Sequence, residues 1–214
     1  MNPILIRVDD FPSGMKEPCP GLEHLYRAFH SLMDAPYLLA VVPSAYAPFC
    51  GCLTELENVE LAVHGYDHRP VTLTHPYDEF QEMGLEQTYT RLHRAFTLAP
   101  GSKKAYVAPF NRYTQNVLAS LLMLGCQTIT AGPETARDGL DYSGFTVVPS
   151  DFYGRSEEIV AQIKRRGLPD AQLCVSLHWT WELQGMIDGK GRLSELISMI
   201  QGRVKPWSEV FGWE

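Results

Sequence analysis

Short apolar runs rich in β-branched and aromatic residues alternate with helical patterns along the chain, and this alternation limits the fold more than any other feature. PILIRV (3–8), YLLAVV (37–42), VELAVH (59–64), KAYVAP (104–109), CQTITA (126–131), FTVVP (145–149) and QLCVSLH (172–178) read as strands. Residues 21–34 read as an amphipathic helix with Leu22, Leu25, Tyr26, Phe29 and Leu32 or Met33 on one face. Further helices read from Asp78, as N-cap, to about Phe96, and over 114–125, 156–166 and 192–203. Strands taking turns with helices give an α/β protein with a parallel sheet. About seven strands fall one short of the full eight-stranded barrel. The expectation is a distorted or incomplete (β/α) barrel of about seven parallel strands, ahead of an open doubly wound sheet. The first βα turn carries no glycine-rich fingerprint, so dinucleotide and P-loop binding find no support.

The 214 residues fit a single domain spanning 1–214. A net charge of −7 argues against a nucleic-acid partner, which would need a basic footprint. No window approaches the roughly 18 apolar residues of a membrane span. MNPILIRVDDFP lacks the pattern of a secretory signal. The five cysteines are scattered, as suits reduced thiols, and Cys50-Gly-Cys52 faces no second cysteine pair. The expected compartment is the cytoplasm; the sequence does not set the oligomeric state.

Polar residues gather where the strands end. Asp9 and Asp10 follow the first strand, and His64 and His68 of LAVHGYDHRP follow the third. Pro109, Phe110 and Asn111 follow the fourth, Asp151 the sixth, and His178 closes the seventh. In parallel α/β folds these ends share one face, where active sites are built. One Asp and two His supply the three nitrogen and oxygen ligands of a catalytic zinc, leaving a position open for water. A spare carboxylate beside the metal would serve as general base, and His178, from a separate strand, would protonate the leaving group. Taken alone, the double Asp reads equally as a turn and the His pair as a coincidence. His24, His30 and His93 fall in predicted helices and His75 precedes Pro76, so these four read as structural or exposed.

In this order the residues resemble the NodB-like polysaccharide deacetylases, the carbohydrate esterase family 4 fold group. RVDDF is similar to the first motif, HGYDH to the second, APFN to the third and SLH to the last. The resemblance implies a distorted (β/α) barrel that hydrolyses an N-acetyl group from an amino sugar. It implies Asp9 as catalytic base, Asp10, His64 and His68 as ligands of one divalent metal, zinc first, and His178 as general acid. It also implies that the backbone N–H of Phe110 helps hold the oxyanion. Two departures stand out. Val107 occupies the place of the Arg that pairs with the base; Arg7, on the same strand face as Asp9, or Arg112 would replace it. Gly65 replaces the Ser or Thr after the first His, so Tyr66 or Asp67 is expected to hold the loop instead.

Asp151 is the candidate for the Asp that tunes the acid His, with a turn ahead of Ser156 as its competing reading. Trp179, Trp181 and Tyr113 would line a sugar site or sit in the core, with Trp179 placed at the site beside His178. The expected partner is an N-acetylated carbohydrate. Two other readings stand beside this one: hydrolysis of a formyl group or of a cyclic amide or imide, and an inactive carbohydrate-binding domain.

Overall fold

In the computed structural model, residues 1–12, 21–46, 56–69, 79–102, 105–131 and 139–213 are described. In chain order the elements are β1 (Ile4–Phe11), α1 (Leu22–Met33), β2 (Tyr37–Val41), α2 (Pro43–Tyr46), β3 (Val59–His64) and α3 (Leu85–Leu98). There follow β4 (Ala105–Val107), a 3-10 turn (Pro109–Asn111), α4 (Gln115–Met123), β5 (Thr128–Ala131), β6 (Thr146–Pro149) and β7 (Phe152–Tyr153). The chain then forms α5 (Ser156–Arg166), β8 (Leu173–His178), α6 (Trp179–Ile187), α7 (Leu193–Ile200) and α8 (Trp207–Phe211).

The eight strands form one sheet in the order β6-β5-β4-β3-β2-β1-β8-β7. The registered pairs β1–β8, β3–β4, β4–β5, β5–β6 and β7–β8 are all parallel. β6 and β7 stand at opposite ends of this order, yet only Ser150 and Asp151 separate them in the chain. That order belongs to an incomplete (β/α) barrel and not to an open doubly wound sheet. The count exceeds the seven expected because β7 is two residues long, too short to show a period. The long helix also departs from expectation: α3 starts at Leu85 with Gly84 as N-cap. Asp78, its expected cap, lies outside the described residues, as do Cys50, Cys52 and His75.

Two compact units make up the described chain. The first takes Met1–Leu39, Gly51–Glu60 and Asp151–Glu214. Here β1 is buried on both faces, residue after residue, and so reads as a nearly continuous apolar run. Ile4, Leu5, Ile6 and Val8 are buried, and so are Leu173, Cys174, Val175 and Leu177 of β8. Phe11, Tyr26, Phe29 and Trp179 pack edge-on or tilted with ring centroids 4.7–5.8 Å apart. Trp207 is buried too, its indole N–H donating to the Ile6 carbonyl at 2.9 Å.

The second unit takes Ala40–Cys50 and Leu61–Ser150. Its core joins Ala62, Val63, Tyr106, Val107 and Ile129 of the strands to Leu92, Ala95, Val117, Leu118 and Leu121 of α3 and α4. Thr114 caps α4, its hydroxyl accepting the Val117 N–H at 3.2 Å. At the sheet's edge β6 keeps only Val148 buried.

Candidate active site

β1 runs further than its apolar residues alone suggest, carrying Asp9 and Asp10 within the strand. The parallel register sets Arg7 beside Ser176 and Asp9 beside His178. Arg7 and Asp9 share a face, and Arg7 Nη2 donates to Asp9 Oδ2 at 2.7 Å with both side chains buried. Arg7 therefore makes the ion pair that Val107 cannot, while Arg112 is exposed. Asp9 Oδ1 is equally buried and has no hydrogen-bond partner among the described residues. An acceptor left open in this way is costly in a core but useful to a group that must take a proton.

His178 lies at the end of β8 with Nε2 3.3 Å from the Tyr153 hydroxyl and 3.8 Å from Asp10 Oδ2. Trp181 stacks on its ring, centroids 4.1 Å apart. Burial first, then the Asp9 and Asp10 carboxylates, raises the Tyr153 pKa, so the phenol keeps its proton at neutral pH. Neither Tyr153 nor its strand was evident from the sequence.

Two expected site residues lie elsewhere. Trp179 is fully buried against Phe11, Tyr26 and Phe29, so it belongs to the core; Trp181 is the indole that reaches His178. Asp151 precedes β7 and so lies at the strand's N-terminal end, opposite the end that carries His178. Its carboxylate accepts the Cys174 N–H at 2.8 Å, about 13 Å along β8 from His178 at about 3.3 Å per residue. Glu182 is structural as well, accepting the Ser156 N–H at 2.7 Å at the start of α5. Tyr113 is buried and donates to the Thr130 carbonyl.

In the second unit, His64 ends β3 beside Val107, and its Nδ1 lies 3.0 Å from the Val107 carbonyl. A carbonyl only accepts, so Nδ1 carries the proton and Nε2 keeps the lone pair that a metal requires. The His68 ring lies 4.8 Å from that of His64 and 4.4 Å from that of Phe110. Pro109 is buried, whereas Phe110 and Asn111 are half-buried.

The turn from Gly65 to Arg69 is held by a residue without any motif. Glu79, 1% exposed, accepts the N–H of Tyr66 at 2.8 Å, of Asp67 at 3.3 Å and of His68 at 3.0 Å. Arg91 binds both Glu79, at 3.1 Å, and Asp67, at 2.7 Å. Burial pushes the Glu79 pKa up, and Arg91 opposes it. Gly65 has φ +67°, and a Cβ there would collide with Glu79 Oε2 and Pro109 Cγ. The missing hydroxyl after the first His is thus replaced by a carboxylate that needs the glycine's space.

Positive φ at residues other than glycine is uncommon and costs about 1–3 kcal/mol where surrounding structure enforces it. Asp10, His68, Phe110 and Asn111 all have it, with φ 53–68°. Within the second unit, His64 and His68 are the candidate pair of metal ligands, their ring centroids 4.8 Å apart. Two imidazoles on one turn, one of them with its lone pair on Nε2, are of the donor type that a divalent metal takes.

No family model matches the chain, and no curated protein matches it by sequence. Solved structures do. A family 4 carbohydrate esterase from Streptomyces lividans, in complex with acetate, superposes with a TM-score of 0.59 at 12% identity, over 96% of this chain and 91% of that one. A family 4 esterase domain of a multidomain xylanase, from the hindgut metagenome of Trinervitermes trinervoides, gives 0.62 at 11% identity, over 99% and 91%. A family 4 pseudoenzyme from Bacillus anthracis gives 0.60 at 12% identity, over 97% and 64%. The chain therefore has the fold of the NodB-like polysaccharide deacetylases; at such identities the likeness speaks for the fold alone. Among the described residues no helix is long and apolar enough to cross a membrane.

Proposed function

We propose that the chain is a single-domain, metal-dependent hydrolase that removes an N-acetyl group from an amino sugar. Asp10, His64 and His68 would hold one divalent metal, zinc first among candidates. When bound, it supplies Lewis-acid polarisation of the amide carbonyl and a lowered pKa for water. The observation that supports this reading most is the His64–His68 pair, its rings 4.8 Å apart and His68 held in strained backbone.

The remaining steps belong to this chain's own residues. Asp9 Oδ1 accepts the proton of the attacking water, while Arg7 holds the other oxygen. His178 stands beside Asp9 across the β1–β8 register and donates a proton to the departing amine. Tyr153 and Trp181 fix its ring. Phe110, held in the left-handed region, offers its backbone N–H to the developing oxyanion, and Asn111 and Pro109 shape the wall beside it. A cytoplasmic sugar precursor, nucleotide-linked or lipid-linked, or a small oligosaccharide is the proposed substrate.

A panel assay of the zinc-loaded protein tests this reading. N-acetyl sugars, N-formyl sugars and cyclic imides are offered, and acetate, formate and ring opening are measured. Acetate from at least one N-acetyl sugar is expected. Turnover of only formyl or cyclic substrates would move the reading to another amide. No turnover at all, with metal bound, would move it to an inactive binding domain, a fate the pseudoenzyme neighbour illustrates for this fold.

A further inference from the structure

We propose that Glu79 and Arg91 are positioning residues for the metal site, acting through the backbone of the turn that carries His68. The inference rests on the reading that His64 and His68 hold a metal. Successive N–H groups of a turn make a concave site for an anion. Here the anion is a side chain from outside the turn: Glu79 Oε1 accepts from Tyr66 and Asp67, and Oε2 accepts from His68.

The clamp has a second layer. Arg91 Nε binds Glu79 Oε1 and its Nη2 binds Asp67 Oδ1, so one guanidinium ties the clamping carboxylate to the turn it clamps. Asp67 Oδ1 also accepts the Arg69 N–H at 3.1 Å, which closes the turn on the far side of His68. The guanidinium lies 4.7 Å from the centre of the Tyr66 ring. His68 sits between these ties with φ 55°, a conformation that persists only when its surroundings impose it. Groups outside the ligands that orient them characteristically govern metal affinity by about 10–100-fold.

Zinc affinity, measured by competition with a chromophoric chelator, tests the clamp in wild type, Glu79→Gln, Arg91→Lys and His68→Ala. Thermal melting of each metal-free protein is recorded alongside. Glu79→Gln is nearly isosteric but offers an amide N–H₂ toward backbone donors. It should bind zinc about 10–100-fold more weakly while its metal-free melting stays close to wild type. Wild-type affinity in a folded Glu79→Gln would overturn the clamp and leave the metal reading standing. Should Glu79→Gln fail to fold, Arg91→Lys decides, because it keeps the carboxylate and removes only the fork: several-fold weaker binding supports the clamp, unchanged binding overturns it. A wild type that binds zinc no better than His68→Ala would overturn the metal reading itself, and the clamp with it.

Discussion

The turn carrying His64 and His68 is tied down by a carboxylate from outside it, whereas the end of β1 leaves one oxygen of Asp9 without a partner among the described residues. Both regions bury a carboxylate against an arginine, Glu79 with Arg91 and Asp9 with Arg7. In the first, both oxygens are engaged, and the result is a fixed scaffold. In the second, one oxygen is held and the other is open, which is the arrangement a general base needs. On the proposed reading, the same pair of residue types serves geometry in one place and chemistry in the other, and the number of hydrogen bonds each carboxylate accepts separates the two roles.

Asp9→Asn separates the two carboxylates most sharply. It should lower kcat/KM for acetate release by about 10²–10⁴-fold while zinc stoichiometry is unchanged. A loss under about tenfold, outside the range expected for general base catalysis, would make Asp9 as structural as Glu79. Next comes Arg7→Ala, which leaves Asp9 as a buried charge without its cation. Urea unfolding should show a loss of about 3–5 kcal/mol; a change near zero would mean that water already solvates the pair. The two tryptophans beside His178 sharpen the contrast further. Trp179→Ala should cost about 3–5 kcal/mol of stability, whereas Trp181→Ala, half-buried, should cost well under half of that and act mainly on turnover. The smallest effect concerns the core thiols. Burial pushes Cys126 up to about 12 and Cys174 up to about 11. Because thiolate is the reactive form, both should resist a thiol reagent at pH 8 until the protein is unfolded, as mass spectrometry of labelled peptides would show.

Where the candidate site residues fall was legible because strand ends are legible. VELAVH ends at His64 as β3 does, and QLCVSLH closes on His178 as β8 does. Helix α5 begins at Ser156, with Glu157 and Glu158 in its first turn, and ends at Arg166 before Gly167. Strand alternation alone put Arg7 on the face of Asp9. What escaped was of two kinds. β7 is too short to carry a period, and without it only the place of Asp151 after β6 showed, not its place at the start of β7. Glu79 makes its contacts with residues 11 to 13 positions earlier, and nothing local to it marks a partner. The one hint was Gly65: a glycine directly after a candidate ligand signals that something approaches its backbone closely. Trp179 and Trp181 lie two positions apart on a helix, about 200° of rotation, so they point to opposite faces and only one enters the core.

The most direct test of the central claim is the metal content of the purified protein, by elemental analysis, beside His68→Ala. About one zinc-like ion per chain is expected in the wild type, and its loss in the variant. No metal in either protein, even after zinc is added, would contradict it.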